Sequence, residues 1–594
     1  MSKPAATARW QHADSLLLAA LLALAALWIA VKLHWAWTPM EDASMLLRYA
    51  QHLAAGEGIR WSLNQAPVDG ATDFLYMALT AALSRLFRID VVTASRCLNI
   101  AAQLGSVALI YTGSRRLGGT HWLSASAALY LIAGPFIGLA TACFGAPLFA
   151  FFLLACWSAG LRYALRSPTW TAALSMATLG LLAGLTRPEG VLIAALLLIA
   201  TLYLARSAPP TPTDVSSRPE SAPFADGAES GVPGERSLLD GVQRPAFGTT
   251  TTLLLAHALL FGILGTAYFA WHWHYFGYPL PNPFYIKGDG HLYPTSVEHA
   301  AMNLVTLLLP ALPLVPLGWL SPATRRLTNA LVFLLVAFAL MWVLLSNQNN
   351  HFFRFQYAIV PLVLMTVPAL ANGIGALLSP ELRTQVSTRL VRLPLTLAAV
   401  LATLGSMLYI SHTFDYYRAT EQGMRTFALR LQPLAARGYT MAVTEAGALP
   451  LYSQWNTLDA LGLNDAYIAH HHQIDAAYLD TFHPELILVH IDSSFLGEFA
   501  PNGLTHQPLQ HDVFYNAEFL NFYAATHGYT LAAIWGSSPC NLHLYWLRPG
   551  FPDYATVLAD IRDHPYYFLD NGNLSHDYRN EQETLQPCAL PTPN

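Results

Sequence analysis

Charge is what this sequence has least of. Asp, Glu, Lys and Arg together make up 11% of its 594 residues, against roughly a quarter in soluble globular proteins. A chain so poor in charge, and 54% hydrophobic, cannot cover a water-exposed surface, so most of it is expected in lipid. The net charge of −5 and a pI near 6.5 come with no run of basic residues, which excludes a nucleic-acid surface. The five cysteines form no CxxC or zinc-type spacing, so a zinc ribbon and a dithiol redox centre are excluded. Cys97, Cys143 and Cys156 lie in or near apolar segments. Cys540 and Cys588 lie in the polar C-terminal region and can pair if that region faces an oxidising compartment. No repeat recurs at a fixed period, which excludes a solenoid.

Long apolar runs are what the chain has instead. Stretches of bilayer length begin near Ser15, Leu98, Trp122, Ala146, Trp170, Val191, Leu253, Met302, Leu327, Tyr357 and Leu393, giving about eleven expected transmembrane helices. The first follows Lys3 and Arg9 and has no cleavage site after it, so it is read as a retained signal anchor. The run from Asp73 to Leu83 is too short to cross before Arg85 and Arg88 interrupt it, and reads as re-entrant or interfacial. Charge parity supports that choice. With the N-terminus inside, the clusters Arg115/Arg116, Arg162/Arg166, Arg206, Arg325/Arg326 and Arg383/Arg389/Arg392 all fall on the cytoplasmic side. The tail beyond Ile410 is then extracytoplasmic.

Two regions differ in pattern. Residues 207–248 are rich in Pro, Ser, Gly and Asp without apolar periodicity, the composition of a cytoplasmic disordered linker. From 412 to 594 helical and strand-like runs alternate: Tyr416 to Ala436 helical, then short apolar runs at Thr440–Val443, Leu486–Ile491, Leu531–Trp535 and Leu542–Leu547. The expected organisation is a transmembrane domain over 1–411 and a soluble α/β domain over 412–594.

Candidate chemistry gathers at the outer ends of the spans. The first external loop, 35–72, holds Glu41 and Asp42, then Arg48 and Trp61, with Asp69 near its end and Asp73 just beyond. Other outer turns hold Arg187 and Glu189, Tyr285 and Lys287, and Arg354. Ionisable groups at membrane depth cost a few kcal/mol each, so they face a cavity or a partner. Ordinary roles compete: Glu41 and Asp42 suit a solvated loop, Lys287 and Arg354 can snorkel to headgroups, Arg187 and Glu189 can simply pair, and Trp271, Trp273, Tyr275 and Tyr278 suit an interfacial belt. Convergence on one face favours a functional site. A carboxylate there can take a proton from an attacking hydroxyl, and cations can hold a departing phosphate.

The order Glu41-Asp42-Ala43, Leu47-Arg48-Tyr49-Ala50, Gly56-Glu57-Gly58 and Val68-Asp69-Gly70-Ala71-Thr72-Asp73-Phe74-Leu75 resembles the acidic-pair signature of bacterial, mycobacterial-type arabinofuranosyltransferases of the GT-C class. Leu185-Thr186-Arg187-Pro188-Glu189-Gly190, the stretch Phe276 to Lys287, Phe353-Arg354-Phe355, Glu445-Ala446-Gly447-Ala448 and Leu458 to Asp465 are similar to the same family. The resemblance implies a GT-C fold in a bacterial cytoplasmic membrane and an inverting transfer of a sugar, arabinofuranose favoured, from a polyprenyl-phosphate donor to an envelope glycan, lipid or protein. It implies Asp42 as general base with Glu41 beside it, and Arg187, Lys287, Arg354 and Arg48 around the donor phosphate. Asp69, Asp73, Glu189, Trp61 and Tyr285 are further site candidates. No nucleotide or organic cofactor is implied. A divalent ion between Glu41 and Asp42 is compatible with oxygen ligands. Two departures stand out: the family's two aspartates are here Glu41 and Asp42, and Gly145-Ala146-Pro147 stands where the family tends to have an acidic residue. The alternatives are a lipid-linked-sugar transporter or flippase, and a mannosyl- or aminoarabinose transferase of the same class.

Overall fold

The computed structural model describes residues 5–32, 38–133, 136–166, 168–206, 248–287, 292–347, 350–371, 423–491, 515–538, 541–563 and 576–577. The span expected from Leu393, most of the 207–248 linker, and Cys540 with Cys588 lie outside them. Each of the other ten expected spans begins within a helix. The first nine helices are α1 (Ala5–Lys32), α2 (Glu41–Ala55), α3 (Phe74–Phe87), α4 (Val91–Arg116), α5 (His121–Ala133), α6 (Ile137–Thr141), α7 (Ala146–Leu165), α8 (Trp170–Thr186) and α9 (Glu189–Arg206). Six more follow: α10 (Gly248–Leu259), α11 (Thr266–Phe276), α12 (Asn282–Lys287), α13 (Pro294–Leu308), α14 (Pro322–Met341) and α15 (Val360–Leu370).

Among the described residues, six segments are long and apolar enough to cross a membrane: His12–Val31, Ala146–Leu165, Glu189–Arg206, Thr250–Phe276, Pro322–Leu344 and His351–Leu370. A pair bent by 87°, Pro294–Leu308 with Leu312–Trp319, makes a seventh if it is one span. The difference from eleven has a physical basis. α4 is long but carries Arg96, Asn99 and Gln103, all buried inside the bundle. α8 is apolar but has 17 residues, and α5 has 13. Such helices are sheltered by neighbours rather than by length. α3, with 14 residues, reaches about 21 Å at 1.5 Å per residue.

Helix ends follow local chemistry. Asp90 caps α4 by accepting from Thr93 N at 3.0 Å, and Thr169 caps α8 by accepting from Ala172 N at 3.3 Å, the usual role of these residues at a first turn. Asp73 occupies the same position before α3 but makes no capping bond. Its carboxylate is directed elsewhere.

Among the described residues, the C-terminal region carries a six-stranded sheet in the order β2-β1-β3-β5-β4-β6. The strands are β1 (Thr440–Val443), β2 (Asn456–Asp459), β3 (Leu486–Ile491), β4 (Thr530–Ser538), β5 (Asn541–Leu547) and β6 (His576–Asp577). β1 is parallel to β2 and β3, while β3/β5, β5/β4 and β4/β6 are antiparallel. β1 and β3 match the expected runs, and β4 and β5 extend them. β2 was not expected because Asn456-Thr457-Leu458-Asp459 is too polar to read as a strand.

This region packs on the first loop. Trp61 Nε1 donates to Thr457 O at 2.9 Å, Thr457 N donates to Ser62 Oγ at 2.9 Å, and Tyr49 OH donates to Asn464 Oδ1 at 3.1 Å. Trp61, Tyr49 and Ser62 are fully buried there. The first loop is thereby fixed to the C-terminal region by hydrogen bonds.

Candidate active site

The ends of several spans meet at one cavity of ≈ 150 Å³. Asp42 reaches it from the first turn of α2, Asp73 from the residue before α3, and Gly145 from the start of α7. Arg187 comes from the α8–α9 turn, Lys287 from the end of α12, and Arg354 from the start of the His351–Leu370 span. The opposite end of α7 carries Arg162, which with Arg116 and Arg166 lines a separate groove. Arg162 stands about 25 Å along α7 from Gly145, at 1.5 Å per residue.

Asp42 forms an ion pair with Arg354, Oδ2 to Nη2 at 2.5 Å, and its side chain remains 29% exposed. Burial pushes the Asp42 carboxyl up, but Arg354, Lys287 and His351 outweigh it and hold it below the ordinary carboxylate value. Its place in the first helical turn also suits a negative charge. The Arg354 guanidinium lies 4.4 Å from the Phe144 ring centroid and 5.1 Å from that of Phe355. Phe352 and Phe353, just before Arg354, both have left-handed backbones, with φ of 57° and 56°. Such a conformation is strained for a bulky residue and clusters at functional sites.

Arg187 stands in extended backbone where Pro188 ends α8. Its Nε lies 2.7 Å from Glu189 Oε1 and 3.6 Å from Asp73 Oδ1, and its guanidinium lies 5.3 Å from the Phe355 centroid. Burial acts to lower the Arg187 pKa, but Glu189 and Asp73 raise it overall. Burial raises the Asp73 carboxyl against the opposing pull of Arg187. Gly145 makes room for Asp73: a Cβ there would run into Asp73 Oδ2 and lie 3.1 Å from the Tyr76 ring. Asp73 thus lines the cavity as a carboxylate besides Asp42.

Lys287 lines the cavity, and among the described residues no carboxylate lies within ion-pair distance of its ammonium. Burial and Arg354 push its pKa down, with Asp42 opposing.

Other candidates have different surroundings. Arg48 is a correction: it does not line the cavity. Its Nε donates to Trp61 O at 2.6 Å, Nη2 to Trp455 O at 2.7 Å, and Nη1 to Pro450 O, and it lies 4.9 Å over the Trp61 ring. Burial lowers its pKa to about 9. Arg48 thus joins α2 to the C-terminal region. Trp61 belongs to that junction too. Asp69 receives a hydrogen bond from His272 Nε2 at 2.7 Å, and burial raises its carboxyl. Tyr285 and Tyr278 pack against His470, with centroids 4.3 and 4.0 Å away. Glu41 lies under Gly447, where a Cβ would come within 2.6 Å of Glu41 Cα, and does not line the cavity. Among the described residues, Glu41 and Asp42 belong to no group of three metal-ligand donors. Among the described residues, metal-ligand spacing occurs at Glu445, His490 and His543. Neither that cluster nor the Asp69–His272 pair is legible in sequence, because each joins residues far apart in the chain.

Residues 415–556 match a family described as a domain of unknown function, DUF8728. A comparison with curated proteins finds no match. Among solved structures, the chain is similar to ArnT from Cupriavidus metallidurans bound to undecaprenyl phosphate: TM-score 0.55, 13% identity, 89% of this chain and 97% of that one covered. For the apo state of ArnT the TM-score is 0.52 at 13% identity, with 91% and 98% covered. For arabinofuranosyltransferase AftD from Mycobacteria it is 0.46 at 13% identity, with 90% of this chain and 40% of that chain covered. The ArnT similarity runs over nearly the whole of both chains, and it establishes for this protein a multi-pass GT-C fold with a C-terminal sheet.

Proposed function

We propose that this protein is an inverting glycosyltransferase that takes a sugar from a polyprenyl-phosphate donor at the extracytoplasmic face of a bacterial cytoplasmic membrane. The observation that carries this reading is the meeting of Asp42 with Arg354, Lys287 and Arg187 in one cavity at the span ends. The cavity lies at the far end of α7 from Arg162, in keeping with a basic cytoplasmic side. That ArnT has been solved with undecaprenyl phosphate bound supports the same donor class here.

In the proposed reaction the donor phosphate enters among Lys287, Arg354 and Arg187, with the lipid tail between helices. Phosphate oxygens compete with Asp42 for Arg354. As Asp42 loses that counter-ion its carboxylate becomes a stronger base, closer to what proton abstraction requires. The acceptor hydroxyl then attacks the anomeric carbon while Asp42 takes its proton. The bond from that carbon to the phosphate oxygen breaks, and the cations hold the charge on the departing phosphate. Asp73 is held by Arg187 and is not assigned as a nucleophile, so a single displacement inverts the anomeric centre. Arabinofuranose remains the favoured sugar on the motif resemblance, with an envelope glycan, lipid or protein as acceptor. The C-terminal region, 412–594, is the extracytoplasmic roof of the site in this reading. A divalent cation is not required by the drawn steps.

The test is sugar release from labelled polyprenyl-phosphate pentose and hexose donors by membranes carrying wild type or Asp42→Asn. The expected outcome is donor-dependent release by wild type, reduced roughly 10²–10⁴-fold in the variant, at equal protein level. Wild-type inactivity on every such carrier would overturn the reading.

A further inference from the structure

The C-terminal sheet assembles three metal-ligating side chains outside the cavity. β3 and β5 are antiparallel neighbours whose register sets His490 opposite His543, so both side chains point to one face. Their rings stack with centroids 4.1 Å apart and planes 5° from parallel. β1 runs parallel to β3 on its other side. Beyond its end Thr444 is fastened to β3, donating from its N to Leu488 O at 3.2 Å and accepting from His490 N at 2.8 Å. That anchoring delivers Glu445 to the two imidazoles. Glu445 Oε1 meets His490 Nδ1 and lies 3.7 Å from His543 Nε2. One ligand atom from each residue lies within 4.8 Å of the others.

We propose that Glu445, His490 and His543 bind one divalent first-row cation of the zinc class through two imidazole nitrogens and one carboxylate oxygen. Zinc bonds of about 2.0–2.2 Å in tetrahedral geometry place donor atoms roughly 3.4 Å apart, close to the His543–Glu445 separation. Binding opens the parallel stack by rotation of the rings about χ2, a broad torsion. A plain Glu445–His490 ion pair is the competing account, and it calls for no bound metal.

The site has a consequence for the cavity. Gly447, two residues after Glu445, is the backbone that meets Glu41 beside Asp42. An ion holding Glu445 to β3 and β5 fixes the loop that backs the first turn of α2. This is a positioning role, since none of the three ligands lines the cavity.

The full chain, purified in detergent, stripped with a chelator and then dialysed against limiting zinc, tests the proposal by elemental analysis and thermal melting. The expected result is on the order of one zinc per chain in the wild type, with a raised melting temperature on reloading. Both responses disappear in the double variant His490→Gln/His543→Gln, while Asp42→Asn keeps the wild-type stoichiometry. A zinc content below a tenth of an equivalent after reloading overturns the proposal without need of any variant, as does equal zinc in wild type and the double variant. Loss of zinc in Asp42→Asn alone would move the ion to the cavity and overturn it as well. None of these readouts depends on glycosyl transfer.

Discussion

Asp42 is held below the ordinary carboxylate value by the same Arg354 that a donor phosphate engages in the proposed reaction, and this links pH dependence to donor binding. A general base must be ionised, so activity falls as pH drops through its pKa. In the free enzyme that pKa is depressed, which places the acid limb of kcat/KM below the ordinary aspartate value of about 3.9. With Arg354 drawn to phosphate, the acid limb of kcat lies higher. Separate pH profiles of the two parameters check this, and coincident acid limbs would count against phosphate competition for Arg354. Lys287 gives a second prediction. As the cavity cation with no carboxylate at ion-pair distance among the described residues, it is the group a phosphate gains most from, so Lys287→Ala should raise the donor KM at least tenfold. Steady-state kinetics with graded donor concentration would read it, and an unchanged KM would remove Lys287 from the phosphate site. The motif order made Asp42, Arg187, Lys287 and Arg354 legible because each stands in or beside a turn between apolar runs, where charge near membrane depth needs a reason. Arg48 was misread because sequence gives a residue's chemistry but not its direction. Six residues beyond Asp42 along α2, its side chain bonds to Trp61, Pro450 and Trp455 carbonyls.

Junctions between elements, rather than helix interiors, shape this cavity. Gly145 at the start of α7 and Asp73 before α3 come together because one lacks a side chain and the other forgoes capping its helix. Gly145→Ala should therefore impair turnover by displacing Asp73 from Arg187, and Asp73→Ala should lose part of its own effect in the Gly145→Ala background. A double-mutant cycle on kcat measures that coupling, and strict additivity would show that the two residues act independently. Arg48 works at the same scale. Arg48→Ala leaves the carbonyls of Trp61, Pro450 and Trp455 without its donors, at a cost of about 1–3 kcal/mol for each that stays unsatisfied. The expected signature is a lower melting temperature with donor KM unchanged in the protein that remains folded, and a raised KM with normal stability would return Arg48 to the phosphate site. Lys is a poor replacement, since an ammonium cannot present a planar fork to three carbonyls. Such junctions were hidden in sequence because they pair residues as far apart as 48 and 455, with no spacing rule to join them.

For the molecule as a whole, periodicity located ten helices and four strands because apolar runs and alternation report directly on burial. Among the described residues six segments reach full crossing length by composition, because helices sheltered inside a bundle can be shorter or carry polar residues, as α4 does with Arg96 and Asn99 buried. Periodicity missed β2 because that strand is stabilised by the first loop as well as by β1, through Trp61, Ser62 and Thr457. The same bonds mean that the C-terminal region and the first loop order each other. Deletion from residue 423 onward removes the partners of Arg48, Tyr49, Trp61 and Ser62 together, and with them the backbone of Gly447 over Glu41. The helical bundle retains its own buried core, whereas α2 loses the contacts that hold Asp42 toward Arg354. Limited proteolysis of the truncated protein in membranes should therefore cut first within residues 38–72, with the later helices still protected and glycosyl transfer abolished. Full protection of 38–72 in the truncated chain would show that the bundle alone orders the first loop, and would assign the C-terminal region to acceptor recognition instead.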